Sequence, residues 1–254
     1  MLRGGGWWIA IAAALPLTGA SPRPPDSAEQ RADLVAIAAY ALNYAKGLPD
    51  FSCRLESKQY VVGRPDNPAT DVGGVIEEMF AFAGNEESYQ VIQINNKLAA
   101  DSHHPTFDPL PWKQFGTVLK GIFDPHTGTN FHWDRWVQRQ KRWLWVFDFS
   151  VARSNGYPVV ESKGTLVVGY KGLVFADPQT KAVMRIELES VDIPSDSEYR
   201  RIKLALDYQP MHLGGRDWIL PAHYLQSLSE EQADITKEGS YQGCSARPSI
   251  LLRP

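Results

Sequence analysis

The sequence predicts an α+β fold in which two helices cover a strongly curved antiparallel sheet of about ten strands. After the N-terminal leader pattern and a short proline-rich stretch, the first segment of the chain has the apolar spacing of an α-helix. After it, apolar residues recur with period two in segments separated by turn sequences, almost to the C terminus. A sheet of this size tends to curl, so the apolar, concave side is where we expect the helices to pack.

The composition excludes several classes of protein. With 43% hydrophobic and 22% charged residues in 254, the chain is neither a disordered tail nor an integral membrane protein. Its 26 basic and 29 acidic residues give a net charge of −3, without the basic excess of a nucleic-acid binder, so we expect no nucleic-acid partner. Two cysteines exclude a disulfide-dense mini-protein and a four-cysteine zinc site.

Residues 1–20 have the pattern of a secretory signal peptide. Arg3 precedes a short apolar run at residues 7–17, and small residues lead up to a cleavage site after Ala20. A membrane anchor is the alternative, but the run is interrupted by Pro16 and is shorter than the ~20 residues of a spanning helix. The pattern predicts cleavage, export to the periplasm, and no transmembrane segment in the mature chain.

Export decides how the two cysteines are interpreted. In an oxidising compartment Cys53 and Cys244 most simply form a disulfide, whereas in a reducing one they would be buried free thiols. The predicted bridge would tie the first strand to the last segment of the chain.

The mature chain begins with a proline-rich spacer at residues 21–26, which cannot be helical. A helix is predicted over residues 27–46, with Ser27 as its N-cap in a capping box with Gln30 and Gly47 just beyond its end. No break in composition is long enough to be an interdomain linker. Residues 27–254 are therefore expected to form a single domain.

The rest of the chain reads as strands joined by turns. Turn sequences are Gly84-Asn85, Asn155-Gly156, residues 177–180 and Gly214-Gly215. Among them Asn155-Gly156 predicts a type I′ turn leading into a strand from Pro158. Two stretches break the pattern: residues 63–74 are predicted to be a loop and residues 111–122 a short second helix.

Four segments support a resemblance to a known family: residues 48–51 (LPDF), 170–177 (YKGLVFAD), 183–186 (VMRI) and 216–221 (RDWILP). They resemble the periplasmic lipoprotein-carrier (Lol-type) superfamily, and most of all its uncharacterised exported bacterial members. The resemblance covers about residues 27–252 and implies an unclosed half-barrel with the helices as a lid on its concave side. The tryptophan-rich centre of this chain departs from the true carriers, so their cargo does not carry over.

The densest aromatic feature lies in the segment that ends at Phe149. In a strand, Trp143, Trp145, Phe147 and Phe149 all point to one side of the sheet. They are interpreted either as the core face under a helix or as the wall of a cavity for a lipid or another apolar ligand, with membrane-surface contact as a third reading. In a half-barrel the core and the cavity share a face, so these four residues are the candidate ligand-binding residues.

The histidines do not predict a metal site. Zinc needs three or four converging ligands, and His103 and His104 are neighbours that cannot both point inward from one strand. His132 and Asp134 could share a strand face, and Asp124 lies near His126, but no metal-binding spacing is present. We therefore expect no metal and no cofactor, and the sequence assigns these histidines no role.

No catalytic signature is present either. There is no Gly-x-Ser-x-Gly motif and no phosphate-binding glycine loop before a helix of the mature chain. The glutamate pairs at 77–78, 86–87 and 230–231 diverge in a strand and are expected to be solvated. The basic run of Arg139, Lys141 and Arg142 is read as a solvated turn or as a contact to a lipid head group.

These patterns predict an exported, non-enzymatic protein that binds or carries an apolar ligand, such as a lipid or an acylated protein. The alternative is an interaction or scaffold protein of the cell envelope with a filled core and no small ligand, and an enzyme of unrecognised type is third. An open pocket under the helices would favour the first and a filled core the second.

Overall fold

The computed structural model describes residues 22–63, 74–99, 116–231 and 233–246. Within these ranges the chain forms one antiparallel sheet of twelve strands and two α-helices, which confirms the α+β class with slightly more strands than expected. The predicted signal peptide, most of the predicted loop at 63–74, and His103 and His104 lie outside the described residues.

The helices are α1 (Ser27–Gly47) and α2 (Thr117–Phe123), and two short 3-10 helices cover Pro125–Thr127 and Arg153–Asn155. The strands are β1 (Phe51–Gly63), β2 (Gly74–Ala83), β3 (Glu86–Ile94), β4 (Lys97–Leu98), β5 (Asn130–Arg139), β6 (Arg142–Val151), β7 (Tyr157–Glu161), β8 (Gly164–Ala176), β9 (Val183–Val191), β10 (Tyr199–Leu213), β11 (Arg216–Glu230) and β12 (Ala233–Ser245).

Helix α1 matches its predicted range to within one residue, but its cap does not. The N-cap is Asp26, whose carboxylate accepts the backbone N–H groups of Ala28 and Glu29 at 2.9 and 3.0 Å. Glu29 in turn accepts the backbone N–H of Asp26 at 2.8 Å, which completes a capping box one residue before the predicted one. Ser27 is the first helical residue, because the carboxylate of Asp26 accepts the two backbone N–H groups, of Ala28 and Glu29, that have no partner within the helix.

Helix α2 begins later than predicted. Its first residue is Thr117, and residues 111–115 of the predicted range lie outside the described residues. Val118, Leu119, Ile122 and Phe123 are buried, so the predicted apolar face is the one that packs.

The order of strands across the sheet is β4-β3-β2-β1-β12-β11-β10-β9-β8-β6-β5, and β7 pairs with β8 beside β6. Strands β4 and β5 are the two free edges, so the sheet does not close and is a half-barrel, as expected. Strand β8 pairs through its first half with β7 and through its second half with β6.

The predicted type I′ turn at Asn155-Gly156 is wrong. Residues Arg153–Asn155 form a 3-10 helix and Gly156 has a φ of −70°, whereas a type I′ turn needs positive φ at both central positions. The turn is absent because β6 and β7 both pair with β8 and not with each other. A side chain at Gly156 would meet the carbonyl oxygen of Val168 at 1.9 Å, so close approach between backbones explains this glycine.

A disulfide joins Cys53 and Cys244, as predicted, and their Cα atoms are 4.1 Å apart. The bridge connects β1 to β12, its neighbour in the sheet, at the point where the register between the two strands shifts. The last described segment of the chain therefore lies beside the first strand.

One face of the sheet carries the main hydrophobic core. Side chains of α1 and α2 share this core with residues of the strands, such as Phe147, Tyr170 and Ile186. We call this the inner face, and the opposite one, which carries Val146, Lys171 and Glu187, the outer face. Neither of the two described α-helices is long and apolar enough to cross a membrane.

Candidate functional site

The four predicted ligand-binding residues follow one another along β6. Trp145, Phe147 and Phe149 are buried on the inner face, with exposed fractions of 6%, 2% and 1%, and Trp143, nearer the turn to β5, is half-buried. The structure therefore brings three of them into the core, as the period-two pattern predicts. Ligand binding by these four residues stays a prediction.

Residues of the neighbouring strands extend this surface with two sets of contacting rings. Ring centres lie between 5.3 and 6.2 Å apart, within the usual range for aromatic pairs. The pairs are Trp136 with Trp145, Trp133 with Phe147, Phe131 with Phe149, Phe149 with Tyr170, and Tyr170 with Tyr157. We call these eight residues the aromatic ladder; it spans β5, β6, β8 and β7.

Helix α2 covers one end of the aromatic ladder. Phe123 stacks on Phe131 at 5.2 Å, and the hydroxyl of Tyr170 donates to the carbonyl of Gly121 at 2.6 Å. Thr129 donates from its hydroxyl to the carbonyl of Ile122 at 2.7 Å. These bonds satisfy carbonyl groups in the last turn of α2, so the helix is held on the sheet by polar contacts as well as by packing.

Helix α1 is less deeply packed. Of its 21 residues only Ile37, Ala41 and Tyr44 are buried, and Val35 is 70% exposed. Tyr44 donates from its hydroxyl to the carbonyl of Ile219 at 2.7 Å and anchors the C-terminal part of the helix. Five further side chains of α1 pack against the core while remaining partly exposed: Leu34, Ala38, Tyr40, Leu42 and Ala45.

The indole nitrogens of two ladder residues differ in their partners. Trp136 donates from Nε1 to the carbonyl of Arg23 at 2.9 Å, just before α1. The Nε1 of Trp145 is buried and has no hydrogen-bond partner among the residues that the structure describes. An unpaired buried donor costs about 1–3 kcal/mol, so an acceptor atom of a bound molecule would be stabilised beside it.

A group of tyrosines lies on the inner face near the other end of the sheet. Burial raises the pKa of Tyr44, Tyr89, Tyr208 and Tyr241 well above the ordinary value, and the negative charge of Glu87 adds to this pKa shift. Glu87 accepts the hydroxyl of Tyr89 at 3.1 Å. These phenols are neutral across the physiological range and add hydroxyl groups to an otherwise apolar face.

Two of the glutamate pairs are not solvated as expected. Glu78 is only 3% exposed, because alternation along β2 places it on the inner face with Phe80 and Phe82. Glu87 accepts the backbone N–H of Gly116 at 3.3 Å and so connects β3 to the residue before α2. The alternation with two phenylalanines was the signal in the sequence that could have identified Glu78 as an inward residue.

The histidines that the structure describes do not converge. His132 lies 3.2 Å from Asp148 and not against Asp134, because a bulge follows Trp133 in the pairing of β5 with β6. His126 lies 2.8 Å from Asp124 in an exposed turn. Across the described ranges, no three His, Cys, Asp or Glu side chains are grouped so that they could hold a metal ion.

The basic run forms the turn between β5 and β6. Gln140 and Lys141 have positive φ values of 47° and 65°, so they are the turn residues. Arg139 lies 3.6 Å from Asp207 on the outer face, and Arg142 is exposed. The run is thus a turn at the edge of the sheet, as one of the two readings predicts.

Comparisons with known proteins give similarities of fold. No family model matches the chain, and no curated protein matches it at a significant level. A LolA superfamily protein from Nitrosomonas europaea is 11% identical, with a TM-score of 0.43, over 84% of this chain and 93% of that one.

Two further solved structures are similar over most of their length. A putative outer membrane lipoprotein-sorting protein domain from Vibrio parahaemolyticus is 8% identical, with a TM-score of 0.40, over 85% of this chain and 92% of that one. A DUF1329 family protein from Desulfovibrio piger is 8% identical, with a TM-score of 0.38, over 88% and 94%. Lol-type structures are thus among those similar to this chain, as the sequence predicts, and the likeness is one of fold only.

Proposed function

We propose that this protein is exported to the periplasm and there binds or carries an apolar ligand, a lipid or an acylated protein, without catalysing a reaction. The observation that carries the proposal is the aromatic ladder on the inner face, where Lys181 connects Trp145 to α1, a helix that buries only three side chains. Displacing α1 would expose a broad aromatic surface, which is what an apolar ligand requires.

The unpaired indole nitrogen of Trp145 adds a polar feature to this surface. Ligand sites of apolar molecules usually combine apolar walls with a few placed polar groups. An ester carbonyl of a lipid could accept from Nε1 of Trp145 while its chain lies along Phe147 and Phe149. This favours a lipid over a pure hydrocarbon.

Two features support export. Residues 1–20 have the pattern of a signal peptide, and the Cys53–Cys244 disulfide is typical of an oxidising compartment. In this proposal the mature chain starts after Ala20, continues through the spacer at 21–26, and forms a single domain over 27–254. Mass spectrometry of protein expressed with its own N terminus tests it: loss of residues 1–20 is expected, and an intact N terminus would contradict it.

The ligand proposal is tested with diphenylhexatriene, a neutral apolar dye that fluoresces in apolar surroundings and accepts energy from tryptophan. We expect the wild-type protein to bind the dye and Trp145→Ala to bind it about tenfold more weakly, since a fully contacting aromatic ring contributes more than 1.4 kcal/mol. Trp218→Ala is the matched control, because Trp218 lies on β11 with Arg216 stacked on its ring at 3.6 Å, away from the ladder.

The alternative is an envelope scaffold with a filled core. The burial of Phe147 and Phe149 to 2% and 1% favours it, because such rings are fully surrounded. In that case the wild-type protein binds no dye, and Trp145→Ala loses the 3–5 kcal/mol of unfolding free energy that is typical of truncating a packed aromatic. Native mass spectrometry of protein purified from an envelope fraction adds a direct search for a co-purified lipid.

A further inference from the structure

A second apolar cluster lies on the outer face of the sheet, opposite the aromatic ladder. Leu144, Val146 and Phe175 are buried there, with exposed fractions of 4%, 0% and 4%. Val137, Leu173 and Met184 pack against them, and the guanidinium of Arg139 lies 5.9 Å from the centre of the Phe175 ring. The outer face is therefore not the uniformly polar surface that period-two alternation would give.

Beside this cluster lies an open apolar groove of about 530 Å³. Leu173, Ala205 and Leu225 line it from β8, β10 and β11, and Leu225 is 39% exposed. Lys171 and Lys203 flank these residues together with Asp148, Glu187 and Glu189, and Lys203 pairs with Glu189 at 3.5 Å. The charges are thus of both signs, and the aliphatic stems of the lysines can cover apolar surface. The volume lies within the range of small-molecule sites, about 300–1,000 Å³. The size and the lining suit a hydrocarbon chain.

A second groove, of about 490 Å³, is lined by three arginines and a single carboxylate, that of Asp207. Asp207 binds Arg185, which also pairs with Glu187, and Arg139 lies 3.6 Å from Asp207, so these two guanidinium groups have carboxylate partners. Arg142 is exposed and has no ion pair with any residue that the structure describes. The groove has an excess of positive charge, and Arg142 carries the part that is not neutralised.

The two grooves lie side by side across the same strands. Arg185 in the second groove and Glu187 in the first are two residues apart on β9 and are bonded at 2.7 Å. On β10, Asp207 is paired with Arg185 and Ala205 with Glu187, so the boundary continues across the sheet in register. An apolar groove thus meets a basic one along a shared wall.

We propose that these two grooves form one binding site on the outer face for an anionic amphiphile, a long-chain fatty acid. The chain lies over Leu173 and Leu225, and the carboxylate lies at the end where Arg142 presents an unpaired guanidinium. Arginine binds carboxylates through two parallel hydrogen bonds, which fixes the head group and orients the chain. The site is separate from the aromatic ladder, since the sheet lies between them.

The test compares a fluorescently labelled long-chain fatty acid with its methyl ester, which has the same chain and no charge. We expect Arg142→Glu to weaken binding of the acid at least tenfold and to leave binding of the ester unchanged, because only the acid gains charge-assisted bonds. Leu225→Glu should weaken binding of both, since it places a charge under the chain. Arg201→Glu, an exposed arginine of β10 outside both grooves, is the matched control and should change neither.

Unchanged affinity of the acid in Arg142→Glu, or unchanged affinity of both probes in Leu225→Glu, would overturn the proposal. Both substitutions are at exposed positions, and circular dichroism checks that the variants remain folded. Binding of diphenylhexatriene, the probe of the inner site, distinguishes failure of the inner-site proposal from failure of this one. If Trp145→Ala loses the dye and keeps the acid, both proposals hold; if the wild-type protein binds the acid but no dye, only the inner site fails.

Discussion

The ammonium group of Lys181 lies 4.2 Å from the centre of the Trp145 ring and 3.2 Å from the carboxylate of Asp33. Lys181 belongs to the turn between β8 and β9, where it also donates to the carbonyl of Pro178 at 2.7 Å. One side chain therefore connects three parts of the molecule: a turn of the sheet, helix α1 and the aromatic ladder. It is a polar contact that ties the first half of α1 to Trp145, one of the candidate ligand-binding residues.

Replacing Lys181 by Met should loosen α1 without unfolding the sheet. The variant loses a cation–π contact and a partly buried ion pair, together worth about 1 kcal/mol. Hydrogen exchange of the amides in α1 should become faster, while that of β9 and β10 stays the same. Lys203→Met, which removes an outer-face pair with Glu189 at 3.5 Å, is the control and should leave exchange in α1 unchanged. Unchanged exchange of α1 in Lys181→Met would show that the lysine does not hold the helix.

The Cys53–Cys244 bridge should contribute strongly to stability. It closes a loop with a sequence separation of 191 residues, for which chain entropy sets a ceiling of about 5 kcal/mol. The double variant Cys53→Ala/Cys244→Ala should therefore unfold at a much lower denaturant concentration than the oxidised wild type. Reduced wild type should resemble the double variant. Thiol counting under denaturing, non-reducing conditions is the direct check, and two free thiols in protein from the envelope would contradict the bridge.

Gly239 should tolerate no side chain. A Cβ at this position would lie 2.1 Å from the ring of Tyr224, which covers the glycine from the neighbouring strand β11. Gly239→Ala must displace a fully buried ring, so we expect a loss of about 1–3 kcal/mol of unfolding free energy. Gly47→Ala is the matched control, since nothing lies within 4 Å of a Cβ there. Equal stability of the two variants would mean that the ring moves aside at no cost.

The buried phenols predict a limit to stability at alkaline pH. Burial raises the pKa of Tyr40 and of Tyr157 to about 12, against about 10 for an unfolded tyrosine. The folded state therefore favours the neutral phenol, and its contribution is fully present below about pH 10 and is lost as the pH rises towards 12.

Denaturant unfolding at increasing pH, followed by tryptophan fluorescence, measures this loss, and phenolate absorbance should rise together with unfolding. Tyr157→Phe should make the decline shallower, because one such group is removed. A decline as steep as in the wild type would show that Tyr157 ionises as readily in the folded state as in the unfolded one.

The parts of the fold that depend on local pattern were predictable. The period-two pattern predicts strands at residues 142–151 and 183–191, and β6 and β9 have these bounds. Helix α1 ends one residue later than predicted, with Gly47 as its last residue and Leu48 as its C-cap, because Pro49 disfavours helical backbone at the residue before it. The disulfide followed from the compartment that the N-terminal pattern implies, since only two cysteines were available to pair.

The parts that depend on pairing between distant segments were not predictable. The Asn155-Gly156 dipeptide favours a hairpin, but β6 and β7 share β8 as their partner, and no local rule states which strand a segment pairs with. The contact of Lys181 with Asp33 joins residues 148 positions apart. The bulge after Trp133 directs His132 to Asp148 and not to Asp134, and bulges arise from the register between strands.

By itself, the sequence determined which side chains can face the same way: Trp145, Phe147 and Phe149 follow from a period of two, which any strand obeys. It also determined the extent of α1 to within one residue and the pairing of the cysteines. The tertiary structure alone decided what covers those rings, which indole lacks a partner, and that apolar and basic grooves meet on the opposite face. The physical reason is that the elements that cover the rings, and the grooves that lie side by side, depend on the order and twist of twelve strands. That order and twist are set by the summed packing of residues far apart in the chain.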